Sequence, residues 1–129
     1  MNPSQSEAFA RIRLMRSPNI GPVSYRALIA RFGSAEAAVE ELPKTPTRRG
    51  YTYKVVPPEI AEREIEGVIK AGARYLFHDQ DDYPELLSQL ESAPPILTCR
   101  GNLALASEPC VAVVGARDAS AASVKLARD

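Results

Sequence analysis

The sequence predicts a small helical domain followed by the first strands and helices of an α/β domain with a parallel sheet. Three observations support this fold class. Apolar residues recur at helical spacing over residues 1–71. Over residues 72–129, short apolar runs that are typical of strands alternate with helical stretches. The last apolar run, Cys110–Val114, is rich in valine, which suits a strand buried on both faces of a parallel sheet.

The composition is that of a globular protein without a broad basic surface. The 129 residues are 45% hydrophobic and 25% charged, with a formal net charge of zero. Residues 1–71 carry 11 Lys and Arg against 8 Asp and Glu, whereas residues 72–129 carry 5 against 8. Because no long basic tract exists, we expect any contact with nucleic acid to be local and geometric.

The sequence predicts a cytoplasmic protein. Its apolar runs are too short to span a bilayer, and its N-terminus lacks the pattern of a cleavable signal. Cys99 and Cys110 fall within predicted strands and form no CxxC motif. We therefore expect two buried, reduced thiols and no contact with a membrane.

Three helices are predicted before residue 43. The first ends near Pro18, because proline disfavours a helical conformation in the residue before it. Pro22 suits the first turn of the second helix, which Gly33 closes in a left-handed conformation. Ser34 caps a third helix that runs to Leu42. The second helix has an amphipathic stripe formed by Tyr25, Leu28, Ile29 and Phe32.

The turn between the first two helices resembles a helix-hairpin-helix element. In such elements a glycine turn lets backbone N–H groups at a helix start approach a nucleic-acid phosphate. Gly21 and Arg26 are therefore candidates for a secondary DNA contact. Asn19 stands where the first glycine of the usual hairpin would be. The alternative is a helical packing module that has lost contact with DNA.

A proline-rich loop over residues 43–57 follows the third helix. Basic residues alternate with tyrosines in this loop, a pattern that can bind single strands through phosphate contacts and base stacking. Arg48 and Arg49 are the candidate residues. A solvated connection between two domains explains the same composition without a ligand.

The rest of the chain predicts alternating helices and strands. A helix over residues 58–71 precedes a strand at Ala73–Phe77, and a short helix with buried leucines at Glu85–Leu90 precedes a strand at Ile96–Gly101. The acidic turn at residues 78–82 contains one histidine, but its spacing matches neither an EF-hand nor a zinc site, so no metal is expected. Because the chain stops within a helix, we expect the α/β domain to be truncated.

The segment after the valine-rich run predicts a phosphate site. A tight turn at Gly115 leads into a helix, whose free N–H groups and dipole attract an anion. Arg117 adds a full positive charge, and Ser120 lies at the helix start. Arginine replaces the second glycine of a dinucleotide-binding turn, so we expect phosphate contact without a dinucleotide or other cofactor.

Four motifs in a fixed order resemble the DNA-processing protein DprA (Smf) family. They are Tyr83-Pro84-Glu85-Leu86-Leu87, Ala93-Pro94-Pro95-Ile96-Leu97, Arg100-Gly101-Asn102 and Val111-Ala112-Val113-Val114-Gly115-Ala116-Arg117. The resemblance implies a SAM-like helical domain followed by the N-terminal portion of a Rossmann-like domain. It also implies a protein that binds incoming single-stranded DNA during natural transformation, protects it, helps to load RecA and forms homodimers.

The resemblance also assigns the site. The family's glycine-serine-arginine turn corresponds to Gly115, Ala116 and Arg117, with Ser120 at the helix start. Alanine replaces the serine, which removes one hydroxyl donor. No catalytic residue is implied, and the chain is expected not to be an enzyme.

Two other readings of the sequence stay open. A nucleotide phosphoribohydrolase of the LOG, lysine-decarboxylase-like, type has a similar Rossmann-like core and phosphate turn. Its proline-glycine-glycine catalytic motif is not found in this sequence, and no pair of a nucleophile and a base is evident. Alternatively, the chain is a structural or partner-binding piece.

Overall fold

The computed structural model describes residues 2–46, 50 and 52–129. It shows a helical part followed by a small sheet with helices. None of the helices in these residues has the length and apolarity needed to cross a bilayer. The elements are α1 (Gln5–Arg16), α2 (Pro22–Phe32), α3 (Ala35–Glu41), α4 (Pro58–Lys70), β1 (Ala73–Phe77), α5 (Glu85–Ser88), β2 (Ile96–Arg100) and α6 (Ala121–Arg128).

The junction between α2 and α3 shows how local chemistry determines the helix ends. Gly33 has a φ of 85°, and its N–H donates to the carbonyl of Ile29 at 2.8 Å. A left-handed residue of this kind is easiest for glycine, which has no Cβ. One residue later, the Ser34 hydroxyl accepts a hydrogen bond from the Ala37 N–H at 3.1 Å. Both predicted caps are confirmed.

Two buried clusters hold the helical part together and join it to the sheet. The first lies among α1, α2 and α3, where Leu14 is completely buried and Tyr53 of the following loop packs against the cluster. The second joins α1 and α4 to β1 through Ile12, Ala61 and Phe77. Because α1 contributes to both clusters, it is the element that connects the helical part to the strands.

The two strands occupy the predicted positions, but they do not form a parallel sheet. β1 and β2 pair antiparallel, with Ala73 opposite Arg100 and Phe77 opposite Ile96. The pairing continues beyond the strands, because the His78 N–H donates to the Pro95 carbonyl at 3.0 Å. The intervening chain turns back on itself instead of crossing over the sheet, and such a return connects antiparallel strands.

The predicted strand at Cys110–Val114 is wrong for this structure. The segment has no strand partner among the described residues, and Val111 and Val113 are 90% and 78% exposed. Cys110 is exposed as well and Cys99 is only half-buried, so the prediction of two buried thiols is wrong. A strand needs hydrogen bonds from a neighbouring strand, whatever its apolar pattern.

The short helix α5 also differs from its prediction. It ends at Ser88, and Leu86 is 82% exposed. Leu90 is 54% exposed, although both leucines were expected to be buried. A single helical turn leaves its side chains exposed to solvent unless another element packs against them.

Candidate nucleic-acid interface

The turn between α1 and α2 keeps the backbone conformation of a glycine hairpin despite its asparagine. Asn19 has a φ of 63° and is the one non-glycine residue with a positive φ in the part of the chain that the structure describes. Asparagine tolerates this left-handed region better than most residues do. The departure from the usual hairpin sequence is therefore compatible with the conformation that the hairpin requires.

The start of α2 is open. Gly21 is its N-cap residue, and no side chain caps the first N–H groups of the helix. A Cβ added at Gly21 would meet no atom within 4 Å, and the φ of −99° is accessible to any residue. Packing therefore does not require a glycine at residue 21. The space in front of the first turn of α2 is open. Uncapped N–H groups at an open helix start can donate hydrogen bonds to a bound anion.

Arg26, the second candidate of this hairpin, faces the chain itself. Its guanidinium donates to the backbone carbonyl of Glu91, and its Nη2 donates to the carbonyl of Ala93 at 2.9 Å. Its Nε is buried and has no hydrogen-bond partner among the described residues. The side chain therefore ties α2 to the loop before β2, and the carbonyl acceptors leave its positive charge uncompensated.

A chain of charged groups on α1, which sequence reasoning missed, fixes the helical part to the strands. The Arg11 guanidinium donates two hydrogen bonds to the Asp79 carboxylate, at 2.7 and 2.9 Å, and a third to Glu7 at 2.9 Å. Glu7 also accepts the backbone N–H groups of Ala35 and Glu36 at the start of α3. The Glu7 and Arg11 positions are four residues apart, so this pair alone was visible in the sequence.

The pKa values of the two carboxyl groups reflect these contacts. Burial opposes ionisation of Glu7, but the hydrogen bonds from Arg11 and from two backbone N–H groups outweigh it and lower the pKa. The hydrogen bonds from Arg11 lower the pKa of Asp79 below its usual range. Both groups are therefore ionised at neutral pH, and their negative charge compensates Arg11.

A second network joins the end of α1 to α4 and β1. Arg16 donates two hydrogen bonds, each 2.8 Å, to the Glu64 carboxylate. The Tyr75 hydroxyl donates to the same carboxylate at 3.0 Å. Burial, assisted by this hydrogen bond, raises the pKa of Tyr75 to about 12. The Arg16 side chain is thus held within the molecule by a carboxylate.

The loop candidates cannot be located. Arg48 and Arg49 lie outside the described residues, so their predicted contact with DNA stays a prediction. Of the tyrosines in this loop, Tyr53 packs against the first cluster.

The Gly115–Ser120 segment is built differently from its prediction. The tight turn expected at Gly115 is not present, because the backbone bends at Arg117 and Asp118 instead. Ser120 is the N-cap of α6, and its hydroxyl accepts the Ser123 N–H at 3.3 Å. The predicted helix start is therefore confirmed, while Gly115 and Ala116 lie in a stretch without regular secondary structure before it.

Arg117 stands free beside this helix start. It is exposed and forms no ion pair with a described residue, including its neighbour Asp118. The first turn of α6 contains no acidic residue, whereas Lys125 and Arg128 lie in its last turn. The start of α6 thus combines N–H groups that Ser120 does not cap with a cation that no described residue neutralises.

The structure does not join the two candidate phosphate sites into one. The hairpin belongs to the packed helical part, whereas every residue from 104 to 129 is exposed. Each site must therefore be considered by itself.

Two family models together match most of the chain. Residues 5–67 match the DprA-like N-terminal HHH domain, and residues 74–129 match DNA recombination-mediator protein A. No curated protein matches the chain. The second match includes the Gly115–Ser120 segment, and its description names a recombination mediator instead of a phosphoribohydrolase.

Proposed function

The chain belongs to the DprA (Smf) family, and on this premise we propose that it binds single-stranded DNA during natural transformation. In this role it protects the incoming strand and helps to load RecA onto it. It acts in the cytoplasm, as a homodimer and without catalysing a reaction.

The observation that carries this proposal is the free guanidinium of Arg117 at the start of α6. A phosphate needs a cation that is not already paired and hydrogen-bond donors that point outward. Arg117 is exposed and unpaired among the described residues, and Ser120 caps α6 while leaving other N–H groups of its first turn open. Arginine binds phosphate oxygens through two parallel N–H groups, which suits the DNA backbone.

The composition of the segment favours a polynucleotide over a dinucleotide. Arg117 occupies the place where a dinucleotide-binding turn needs glycine for close approach of a pyrophosphate. The Arg117 side chain places the phosphate-binding group farther from the backbone than a glycine turn would. Ala116 contributes no hydroxyl, so Arg117 and the backbone supply the phosphate contacts.

The hairpin at Gly21 is a candidate for a second contact. Its open helix start and the left-handed Asn19 support this role, since both are features of a turn that approaches phosphate through its backbone. The strand would contact this turn without help from Arg11 and Arg16, because carboxylates already hold these side chains.

The salt dependence of DNA binding tests the proposal. For single strands, the logarithm of the affinity falls with the logarithm of salt concentration by about 0.7 per neutralised phosphate. We expect Arg117→Ala to weaken the binding of a dT oligonucleotide to the full chain and to reduce this slope by about 0.7. Fluorescence anisotropy across a salt series measures both quantities.

Arg128→Ala is the matched control. Arg128 is an exposed arginine in the last turn of the same helix, where the negative end of the dipole disfavours phosphate. We expect this control to change affinity and slope little. Equal losses in the two variants would mean that general positive charge, and not the site at Arg117, binds the strand.

A further inference from the structure

A cavity of about 280 Å³ lies where α2 faces the turn after β1 and the loop before β2. This volume is close to the lower end of the range for small-molecule sites. Side chains from α2 provide one wall, namely Tyr25, Ile29 and Ala30. Pro95 and His78 also line the cavity, and its surface is mainly apolar.

One positive charge at the cavity is not compensated. Arg11 and Arg26 both line it, and the charge of Arg11 is opposed by Asp79 and Glu7. Arg26 donates to two neutral backbone carbonyls and forms no ion pair with a described residue. The residues that line the cavity therefore combine mainly apolar surface with the positive charge of Arg26, because Asp79 balances Arg11 and Glu7 does not line the cavity.

The cavity also offers hydrogen-bonding capacity that the fold does not use. The Nε of Arg26 is buried and has no hydrogen-bond partner among the described residues, whereas buried polar groups normally have one. The His78 ring packs against the Tyr83 ring, with 5.2 Å between centroids, and among the described residues its one hydrogen-bonding contact is a long one, 3.4 Å from Nε2 to the Ser88 carbonyl.

We infer that this cavity holds a nucleobase of single-stranded DNA, with the adjoining phosphate against Arg26. A base has the required form, since it is flat, stacks on aromatic rings and carries hydrogen-bonding groups along its edge. The uncompensated arginine suits the phosphate that accompanies each base. The inference rests on the proposed function, and it adds a base-binding site to the phosphate site at α6.

Ala30 allows the cavity to be filled without disturbing the core. It is an exposed residue of α2 that lines the cavity, so Ala30→Leu places a larger side chain in the space for the base. Ala27 is equally exposed on the same helix but does not line the cavity. Ala27→Leu is therefore the matched control, and circular dichroism verifies that both variants remain folded.

The test is an NMR titration of the full chain with thymidine 5′-monophosphate. We expect shifts in the amide signals of Ala30, His78 and Asp79. Ala30→Leu should weaken the apparent affinity about tenfold, as expected for loss of stacking of one base, and Ala27→Leu should change it less than about twofold. Absent shifts, or equal affinities in the two variants, would overturn the inference. Equal shifts with ribose 5-phosphate would also overturn it, because they would indicate an anion site at Arg26.

A second titration with a dT oligonucleotide separates this inference from the proposed function. Signals of residues 115–121 report the site at α6, and signals of Ala30, His78 and Asp79 report the cavity. Shifts at α6 alone would keep the proposed function and overturn the base site. Shifts at the cavity alone would keep the base site and overturn the phosphate site at α6, which carries the proposed function.

Discussion

The parts of the chain before and after residue 101 differ in how far their apolar side chains are buried. Leu14 in α1 is completely buried, whereas Val111 and Val114 are each 90% exposed. Helix α6 forms in the exposed region, but the predicted strand before it does not. A helix satisfies its hydrogen bonds within its own segment, while a strand depends on another segment. The comparison shows that an apolar run becomes a strand only where a partner lies beside it.

The same two regions differ in how they use arginine. Arg11 and Arg16 are paired with carboxylates, and Arg26 is held by carbonyl groups. Arg117 in the exposed region has no such partner among the described residues. Arginines of the packed region thus position its elements, and the exposed region retains a cation that is available for a ligand.

Truncation of a large side chain in each region should give the largest contrast. Leu14→Ala removes a completely buried side chain, and we expect the free energy of unfolding to fall by about 3 kcal/mol. Val113→Ala, at an exposed position, should change it by less than about 0.5 kcal/mol. Urea unfolding followed by circular dichroism measures both values. A large loss for Val113→Ala would show that the exposed region is packed in solution.

Removal of the Arg11 guanidinium should have the next largest effect. Arg11→Met keeps most of the apolar stem but leaves Glu7 and Asp79 without their cation. We expect a loss of about 2 kcal/mol, between the values typical of exposed and buried pairs, because Arg11 and Glu7 are largely buried and Asp79 is exposed. The matched change Arg117→Met should leave stability unaltered in the same urea experiment. A similar stability for both variants would contradict the positioning role of Arg11.

Gly33→Ala and Gly115→Ala should differ by about 1 kcal/mol in their effect on the free energy of unfolding. Gly33 has a φ of 85°, so Gly33→Ala forces a Cβ into a left-handed conformation at a cost of about 1 kcal/mol. Gly115 lies in an exposed stretch where a Cβ would meet nothing within 4 Å. We expect Gly115→Ala to leave the thermal midpoint unchanged, while Gly33→Ala lowers it. The opposite order would mean that the backbone conformation at Gly115 is a fixed part of the fold.

The smallest effect concerns pH. The pKa values of Glu7 and Asp79 are lowered in the folded chain, so folding is favoured above their ordinary values, near 4.5 and 3.8. This stabilisation is lost as the pH falls from there through the lowered values. Arg11→Met removes the cation, and we expect its stability to depend less on pH in that interval. Unfolding curves at pH 7, 4 and 3 should show the difference between wild type and variant shrinking at low pH.

The sequence was sufficient to predict the elements that depend on a few neighbouring residues. The turn and cap chemistry of Pro22, Gly33 and Ser34 predicted the ends of α2 and the start of α3, and the positions of β1 and β2 followed from short apolar runs. Ser120 likewise marked the start of α6. These features depend on a few neighbouring residues, which a single sequence displays.

Features that depend on distant residues were not predictable. Arg11 meets Asp79 across 68 positions, and Arg26 reaches carbonyl groups 65 and 67 positions away. The apolar periodicity of a sequence does not indicate contacts between residues so far apart along the chain. The strand predicted at Cys110–Val114 failed for the same reason, because its formation depends on a neighbour and not on its own residues. For the candidate site, the helix start at Ser120 was predicted correctly and the turn at Gly115 was misplaced, while the phosphate contact of Arg117 stays a prediction.

Amide hydrogen exchange of the full chain, with and without a dT oligonucleotide, tests the central claim most directly. We predict slow exchange in α1 and β1–β2 under both conditions and fast exchange over residues 110–119 without DNA. With DNA, exchange should slow over residues 115–121, where the phosphate contacts are proposed. Protection of residues 110–114 without DNA, or an effect of DNA that spares residues 115–121, would contradict the account.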